Sequence, residues 1–213
     1  MSEPAVVTIP NGQFAQNCYL LADAASGEAV IVDPGEEWER ILSEVDRRGW
    51  RVTAIWLTHA HMDHVLGVGE VKEATAAPIL LHPGDRPLYD RLPEQGLWLG
   101  WRIGPPPPAD AELAHGQILT IGVHRFEVRH TPGHSPGSVS FLGPGFVLTG
   151  DALFAGSIGR TDLPGGDYET LIESIRRELL TLHDATRVLS GHGPETTIGA
   201  ERARNPFLVQ AGA

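Results

Sequence analysis

Residues 55–69, Ile-Trp-Leu-Thr-His-Ala-His-Met-Asp-His-Val-Leu-Gly-Val-Gly, constrain this chain more than any other stretch. Three histidines and a carboxylate, His59, His61, Asp63 and His64, fall within six positions. The apolar run Thr53–Leu57 before them has strand length, so the cluster is expected where a buried strand ends. A helix from Val68 to about Ala76 is expected after it. Neutral imidazoles and a carboxylate are the usual ligands of zinc and its divalent neighbours. Alternate residues of an extended segment share a face, so His59, His61 and Asp63 are expected to point one way, with His64 reaching round from the turn. Four ligands from so short a segment cannot all reach one ion with good geometry, and the spacing therefore hints at two ions.

The rest of the chain must supply a scaffold for that loop. Strands are expected at Ala5–Pro10, Asn17–Ala22 and Ala29–Asp33. They are followed by a helix from Glu36 to Arg48 on the spacing of Trp38, Ile41, Leu42 and Val45, stopped by Gly49. A strand Pro78–His82 follows the ligand loop. Residues 83–116 are the least regular, with Trp98, Trp101 and four prolines at 105–108. They are expected to cap the site, cover a sheet edge or meet another subunit. Strands at Gln117–Ile121, His124–His130, Ser138–Leu142 and Phe146–Thr149 come next. A helix from Asp167, its N-cap, to Leu182 and a strand Thr186–Ser190 complete the pattern. Alternating strands and helices indicate an α/β chain.

Composition narrows the function. The 213 residues suit one sizeable domain, and 41% hydrophobic with 20% charged residues is ordinary for a globular protein. No apolar run approaches the roughly 20 residues of a membrane span, and Met-Ser-Glu-Pro does not begin a secretory leader. The one cysteine, Cys18, reads as a small buried strand residue and fits a reducing cytoplasm. A formal net charge of -11 argues against nucleic-acid binding. Neither nucleic acid nor membrane is expected as a partner, and oligomeric state is left open.

Three further segments repeat the grammar of a strand ending in a ligand flanked by glycine. They are Thr131-Pro132-Gly133-His134, Leu148-Thr149-Gly150-Asp151 and Leu189-Ser190-Gly191-His192-Gly193. Glycine lets the backbone turn sharply and lets a ligand approach closely. The remaining histidines, His82, His115, His124, His130 and His183, lack this context and read as structural or surface residues.

From Asp33 to His192 the chain resembles the metallo-β-lactamase superfamily, whose His-x-His-x-Asp-His signature stands here as residues 59–64. The resemblance implies a four-layer αββα sandwich with metals at the edge where two sheets meet. It assigns His59, His61 and His134 to one ion and Asp63, His64 and His192 to a second, with Asp151 bridging. Asp33, in Val-Asp-Pro-Gly, looks like the family's buried acid that orients the ligand loop; a turn-starting aspartate is the alternative. Two divalent ions are implied, zinc by preference, with iron or manganese suited by the same ligands.

Within the superfamily, residues 153–162 look closest to the glyoxalase II branch, the hydroxyacylglutathione hydrolases. True β-lactamases fit less well, since zinc enzymes of that type commonly place cysteine where Asp151 stands. The implied reaction is thioester hydrolysis, on S-D-lactoylglutathione or a related acyl thioester, by a hydroxide held between the ions. Asp63 would orient that hydroxide, and a thiolate leaves without needing a general acid. Arg160 falls where the branch places a basic glutathione contact, with a surface ion pair as the alternative reading. Asp162 falls where the branch often has tyrosine. A single domain over residues 1–213 is expected, without the C-terminal helical domain of full-length glyoxalase II. The runner-up is a mononuclear iron persulfide dioxygenase, a branch that shares Gly-Arg-Thr-Asp, here residues 159–162.

Overall fold

The structure, a computed structural model, describes residues 3–209. The first two residues of the amino-terminal stretch, and the last four of the expected 1–213 domain, lie outside the described residues. Two six-stranded sheets face each other. The first runs in order β1 (Ala5–Asn11), β2 (Gln16–Asp23), β3 (Glu28–Val32), β4 (Arg51–Trp56), β5 (Ile79–Leu81) and β6 (Ala111–Glu112). β1 to β3 pair antiparallel and β3 to β6 parallel. The second contains β7 (Ile118–Ile121), β8 (His124–His130), β9 (Val139–Gly143), β10 (Phe146–Gly150), β13 (Arg187–Ser190) and β14 (Thr196–Thr197), in the order β14-β13-β10-β9-β8-β7. Between β10 and β13 the chain makes a small hairpin, β11 (Leu153–Phe154) and β12 (Ser157–Ile158).

Strand alternation builds the layers. In β2, Cys18 and Leu20 face an outer core with Ile41 and Val45, while Tyr19 and Leu21 face the interior between the sheets. In β4, Ile55 points outward and Trp56 inward, where its ring meets Phe126 and Phe141 at centroid distances of 5.4 and 5.2 Å. In the second sheet, Leu148 and Leu189 point inward, while Val147 and Val188 meet Leu171, Ile175 and Leu179 on the far side. A sheet buried on both faces reads as continuous apolar sequence, and Ala29–Val32 shows this. The result is the expected αββα sandwich.

Helix α1 (Trp38–Arg48) ends where Gly49 takes φ 66°, as its position predicts. α2 (Met62–Val65) and α3 (Val68–Thr75) follow β4. Residues 83–116 hold more helix than their composition suggests, a 3-10 turn at Pro83–Asp85, then α4 (Arg86–Asp90) and α5 (Leu92–Leu97). They also supply β6, so the segment covers the edge of the first sheet. Asp167 caps α6 (Tyr168–Ser174), accepting from Thr170 N–H at 2.8 Å. The expected single helix to Leu182 instead widens into a π-helical turn at Ile175–Leu179. α7 (Ile198–Arg204) and α8 (Pro206–Val209) close the described chain.

Candidate metal centre

All the strand-end ligands gather at one edge of the sandwich. β3 and β4 are parallel neighbours, so the residue after β3 lies beside the start of the ligand loop. That residue is Asp33, held at φ 53°, a conformation that a non-glycine residue adopts only under constraint. Its Oδ1 accepts from Thr58 N–H at 2.7 Å, and its Oδ2 accepts from Thr58 Oγ1 at 2.6 Å and from His64 Nδ1 at 3.0 Å. Asp33 therefore clamps the loop. Gly133 and Gly191 are required by close approach. A Cβ at Gly133 would lie 2.3 Å from Leu171 N, and one at Gly191 would lie 2.1 Å from Asp151 Oδ1.

One expectation is corrected here. His59, His61 and Asp63 do not share a face of an extended segment, because the chain turns into α2 at Met62. The helical turn carries Asp63 away from the first two histidines and towards His64 and His192.

Two clusters result. In the first, His134 Nε2 lies 3.2 Å from His59 Nε2 and 2.8 Å from His61 Nδ1. In the second, Asp63 Oδ2 lies 3.2 Å from His192 Nε2 and 3.6 Å from His64 Nε2. Asp151 stands between them. Its Oδ2 is 3.6 Å from His134 Nε2 and 3.5 Å from His192 Nε2, and its Oδ1 is 3.3 Å from His64 Nε2. Asp33, His59 and His64 also bring donor atoms together. There the Asp33 oxygens are already taken by Thr58 and His64, so that group is a hydrogen-bonded clamp.

The outward nitrogens of the imidazoles fix which atom faces the centre. Thr58 Oγ1 gives its proton to Asp33 and so accepts from His59 Nδ1–H at 3.0 Å. His64 Nδ1–H donates to Asp33, His134 Nδ1–H to the Arg160 carbonyl at 2.8 Å, and His192 Nδ1–H to the Phe14 carbonyl at 3.1 Å. Four Nε2 lone pairs are thereby aimed inward, the arrangement in which a second partner sets the tautomer of a ligating histidine. His61 turns Nδ1 inward.

The residues present fit divalent ions on two observations. With their Nδ1 protons given to Thr58 and the Arg160 carbonyl, His59 Nε2 and His134 Nε2 face each other at 3.2 Å as bare lone pairs, and such lone pairs repel unless a cation lies between them. Tetrahedral zinc would set neighbouring nitrogens about 3.3 Å apart. In addition, His64 Nε2 and Asp151 Oδ1 are buried with no hydrogen-bond partner.

The electrostatics of the two clusters differ. Burial holds His59 well below the usual histidine range and brings His61 down to about 3, helped in each case by neighbouring histidines. Burial opposes charge on His64 and His192 as well, but there carboxylates win: Asp151 and Asp63 raise His64, and Asp63 with Asp151 raises His192. Burial likewise opposes ionisation of Asp63 and Asp151, yet His64 chiefly holds both below the ordinary carboxylate range. Without an ion, the carboxylates favour the protonated form of His64 and His192.

Two supports were not legible in the sequence. Asp85, fully buried in the turn after β5, accepts from Ala60 N–H at 2.8 Å, Ser135 Oγ at 2.7 Å and Gly137 N–H at 2.6 Å. It ties the loop of His59 and His61 to the loop of His134. Gln95 in α5 donates to the Ala60 carbonyl and accepts from Met62 N–H, both at 3.0 Å. An aspartate in Pro-Gly-Asp reads as an ordinary turn residue, and nothing local marks Gln95. Of the other histidines, His82 and His130 stack at 4.1 Å, away from the centre.

Above the clusters opens a cavity of about 570 Å³ that reaches Asp63, Asp151 and His192. Arg160 lines it, and its guanidinium makes a two-pronged pair with Asp162 at 2.7 and 2.8 Å. Gln95, Trp98 and Leu99 line it as well, so the irregular segment also caps the site.

No helix among the described residues is long and apolar enough to cross a membrane. The chain is 41% identical to a protein of Haemophilus influenzae named hydroxyacylglutathione hydrolase GloC, over 94% of this chain and 96% of that one. The crystal structure of BLEG-1 B3 metallo-beta-lactamase superposes with a TM-score of 0.90 at 42% identity, covering 96% of this chain and 99% of that one. TTHA1623 in a di-iron-bound form superposes at 0.87 with 43% identity, covering 95% and 100%. The sequence matches the metallo-beta-lactamase superfamily over residues 11–192, and strand-end ligands, sandwich and relatives agree that the chain belongs to that superfamily.

Proposed function

We propose that this protein is a binuclear metal-dependent hydrolase of thioesters, a glyoxalase II-like enzyme of the cytoplasm. His59, His61 and His134 would hold one ion and Asp63, His64 and His192 the other, with Asp151 shared. When bound, a pair of divalent ions supplies Lewis acidity and a water of lowered pKa. Zinc is our first choice, and the di-iron form of TTHA1623 keeps iron in view.

The observation that carries this reading is the position of Asp151, whose two oxygens face both clusters. The chain's own groups do the rest. Asp63 lines the cavity as an ionised acceptor and can hold the proton-bearing side of an attacking water towards itself. Asp33 and Asp85 keep the ligand loops from shifting as charge develops. A departing thiolate needs no proton at neutral pH, and among the described lining residues outside the clusters the polar groups are Gln95, Ser157 and Arg160, none of them an acid. That cavity suits a thioester better than an ester or amide, whose leaving groups need protonation. The GloC name at 41% identity points the same way.

The test is metal content of the purified protein, with hydrolysis of S-D-lactoylglutathione, a neutral thioester and nitrocefin measured on the same sample. Close to two ions per chain with thioester turnover is the expected result. One iron per chain with oxygen uptake on glutathione persulfide would replace the reading by a dioxygenase. Turnover of nitrocefin alone would replace it by the activity named for BLEG-1.

A further inference from the structure

The walls of the cavity are at odds with a substrate as polar as glutathione. Outside the metal clusters its surface is mostly apolar, from Phe14, Trp98, Leu99, Phe154, Ile158 and Leu163. Three of these stand in water at its mouth, Trp98 59% exposed, Leu99 47% and Phe14 42%. Phe14 also packs near Trp101, with ring centroids 6.3 Å apart, so the aromatic surface is contiguous. Grouped exposed apolar side chains at a cavity mouth mark a surface that something covers. Trp98 and Gln95 also border a second cavity of about 280 Å³, which leaves room for a chain that extends past the indole.

The polar side of the wall is already committed. A glutathione thioester carries two carboxylates and one ammonium. Among the described residues, the one cationic side chain outside the clusters that lines the cavity is Arg160, and Asp162 holds the Nε–Nη2 edge of its guanidinium. Gln95 spends its amide on Ala60, Met62 and Leu88. The protein as a whole is strongly acidic, at a formal net charge of -11. A carboxylate entering this mouth therefore meets an apolar surface and an arginine whose Nε–Nη2 edge already faces Asp162, and burying a carboxylate without a partner is costly.

We propose that the cavity is a binding site for the apolar acyl group of a thioester, aromatic or of medium chain length, and that Trp98 and Leu99 on the exit of α5 are its specificity-determining wall. This rests on the thioesterase reading and names the substrate class for it. The arm carrying the thiol is uncharged near the mouth, and the Arg160–Asp162 pair disfavours glutathione conjugates.

The experiment crosses two acyl groups, D-lactoyl and phenylacetyl, with two thiols, glutathione and N-acetylcysteamine, on metal-reconstituted enzyme. On each thiol, kcat/KM for phenylacetyl is expected to exceed that for lactoyl at least about tenfold, given about fourfold per buried methylene. Trp98→Ala with Leu99→Ala should cut that preference about tenfold through KM. Both residues are exposed, so the fold should survive. Asp162→Asn should release Arg160 and raise kcat/KM for S-D-lactoylglutathione about threefold over its N-acetylcysteamine counterpart. Binding is read separately by isothermal titration calorimetry with the unreactive thioether S-(2-phenylethyl)-N-acetylcysteamine. The wild-type protein should bind it, and the double variant should bind it about tenfold more weakly. Turnover with equal or greater preference for lactoyl overturns the proposal and leaves the thioesterase standing. No turnover of any of the four thioesters sinks the thioesterase, and the thioether titration then decides the apolar site alone. Absence of thioether binding overturns it.

Discussion

The floor and the mouth of the cavity are built on opposite terms. The floor is a set of strand ends with His59, His61, His64 and His134 buried and Asp63, Asp151 and His192 half-buried, and its outward-facing atoms mostly have partners: Asp33 for His64, Thr58 for His59, backbone carbonyls for His134 and His192. The mouth is a few exposed apolar residues on turns and a helix end, Trp98, Leu99 and Phe14. A floor of this kind cannot vary without losing its geometry, whereas the mouth can vary at little cost to folding. On the proposed reading, the chemistry is therefore set by the sandwich, and selectivity by what stands over it.

Four outcomes would sharpen or break that contrast. The largest belongs to Asp151→Ala, which removes the one group facing both clusters. Turnover should fall about a thousandfold, with fewer than two ions retained in metal analysis. Near-normal turnover would mean that the clusters work separately.

Asp85→Ala comes next, because it leaves Ala60 N–H, Gly137 N–H and Ser135 Oγ without their shared acceptor. Metal affinity should drop about ten- to a hundredfold in a chelator titration. The metal-free protein should lose about 2–3 kcal/mol in denaturant unfolding. An unchanged affinity would show that the two loops do not depend on their common anchor.

A smaller effect separates the clusters by pH. Protons compete with metal only where the imidazole takes one up readily, which the carboxylates favour at His64 and His192 and burial opposes at His59 and His61. Lowering pH from about 8 to about 6 should therefore release the ion of the Asp63, His64 and His192 cluster first, leaving about one ion per chain. Simultaneous loss of both would contradict the different electrostatics. The smallest effect is expected from Trp98→Ala on stability, within about 0.5 kcal/mol of wild type in denaturant unfolding, since its side chain is largely in water. A loss as large as that of Asp85→Ala would end the distinction between floor and mouth.

The same contrast governs what was legible in the sequence. Residues that the centre needs carry their own punctuation: His59-Ala60-His61, then Gly133-His134, Gly150-Asp151 and Gly191-His192 after apolar runs. Strand alternation and the spacing of Trp38, Ile41 and Val45 likewise anticipate the layers. An extended reading puts Asp63 on the face of His59 and His61, and it fails because the chain becomes helical at Met62. Asp85 and Gln95 escaped notice because their role depends on partners far away in sequence, and a lone buried carboxylate in a turn has no periodicity. The mouth is legible only in part, since capping the site is one of three roles expected for the segment of Trp98. Phe14, Trp98 and Phe154 come from separate elements, and only the fold brings them to one cavity.

The proposed ligands are also divided between the sheets. His59, His61, Asp63 and His64 follow β4 in the first, while His134, Asp151 and His192 follow β8, β10 and β13 in the second. During synthesis the chain emerges from its amino end, so the first sheet and its histidines are complete well before β13 leaves the ribosome. Neither cluster can close on the early half alone, and the Asp63 and His64 pair waits for the last ligand of all. On the proposed ligand set, metal capture would be a late step of maturation, and bound ions would rivet the two sheets together at the edge where they would otherwise part.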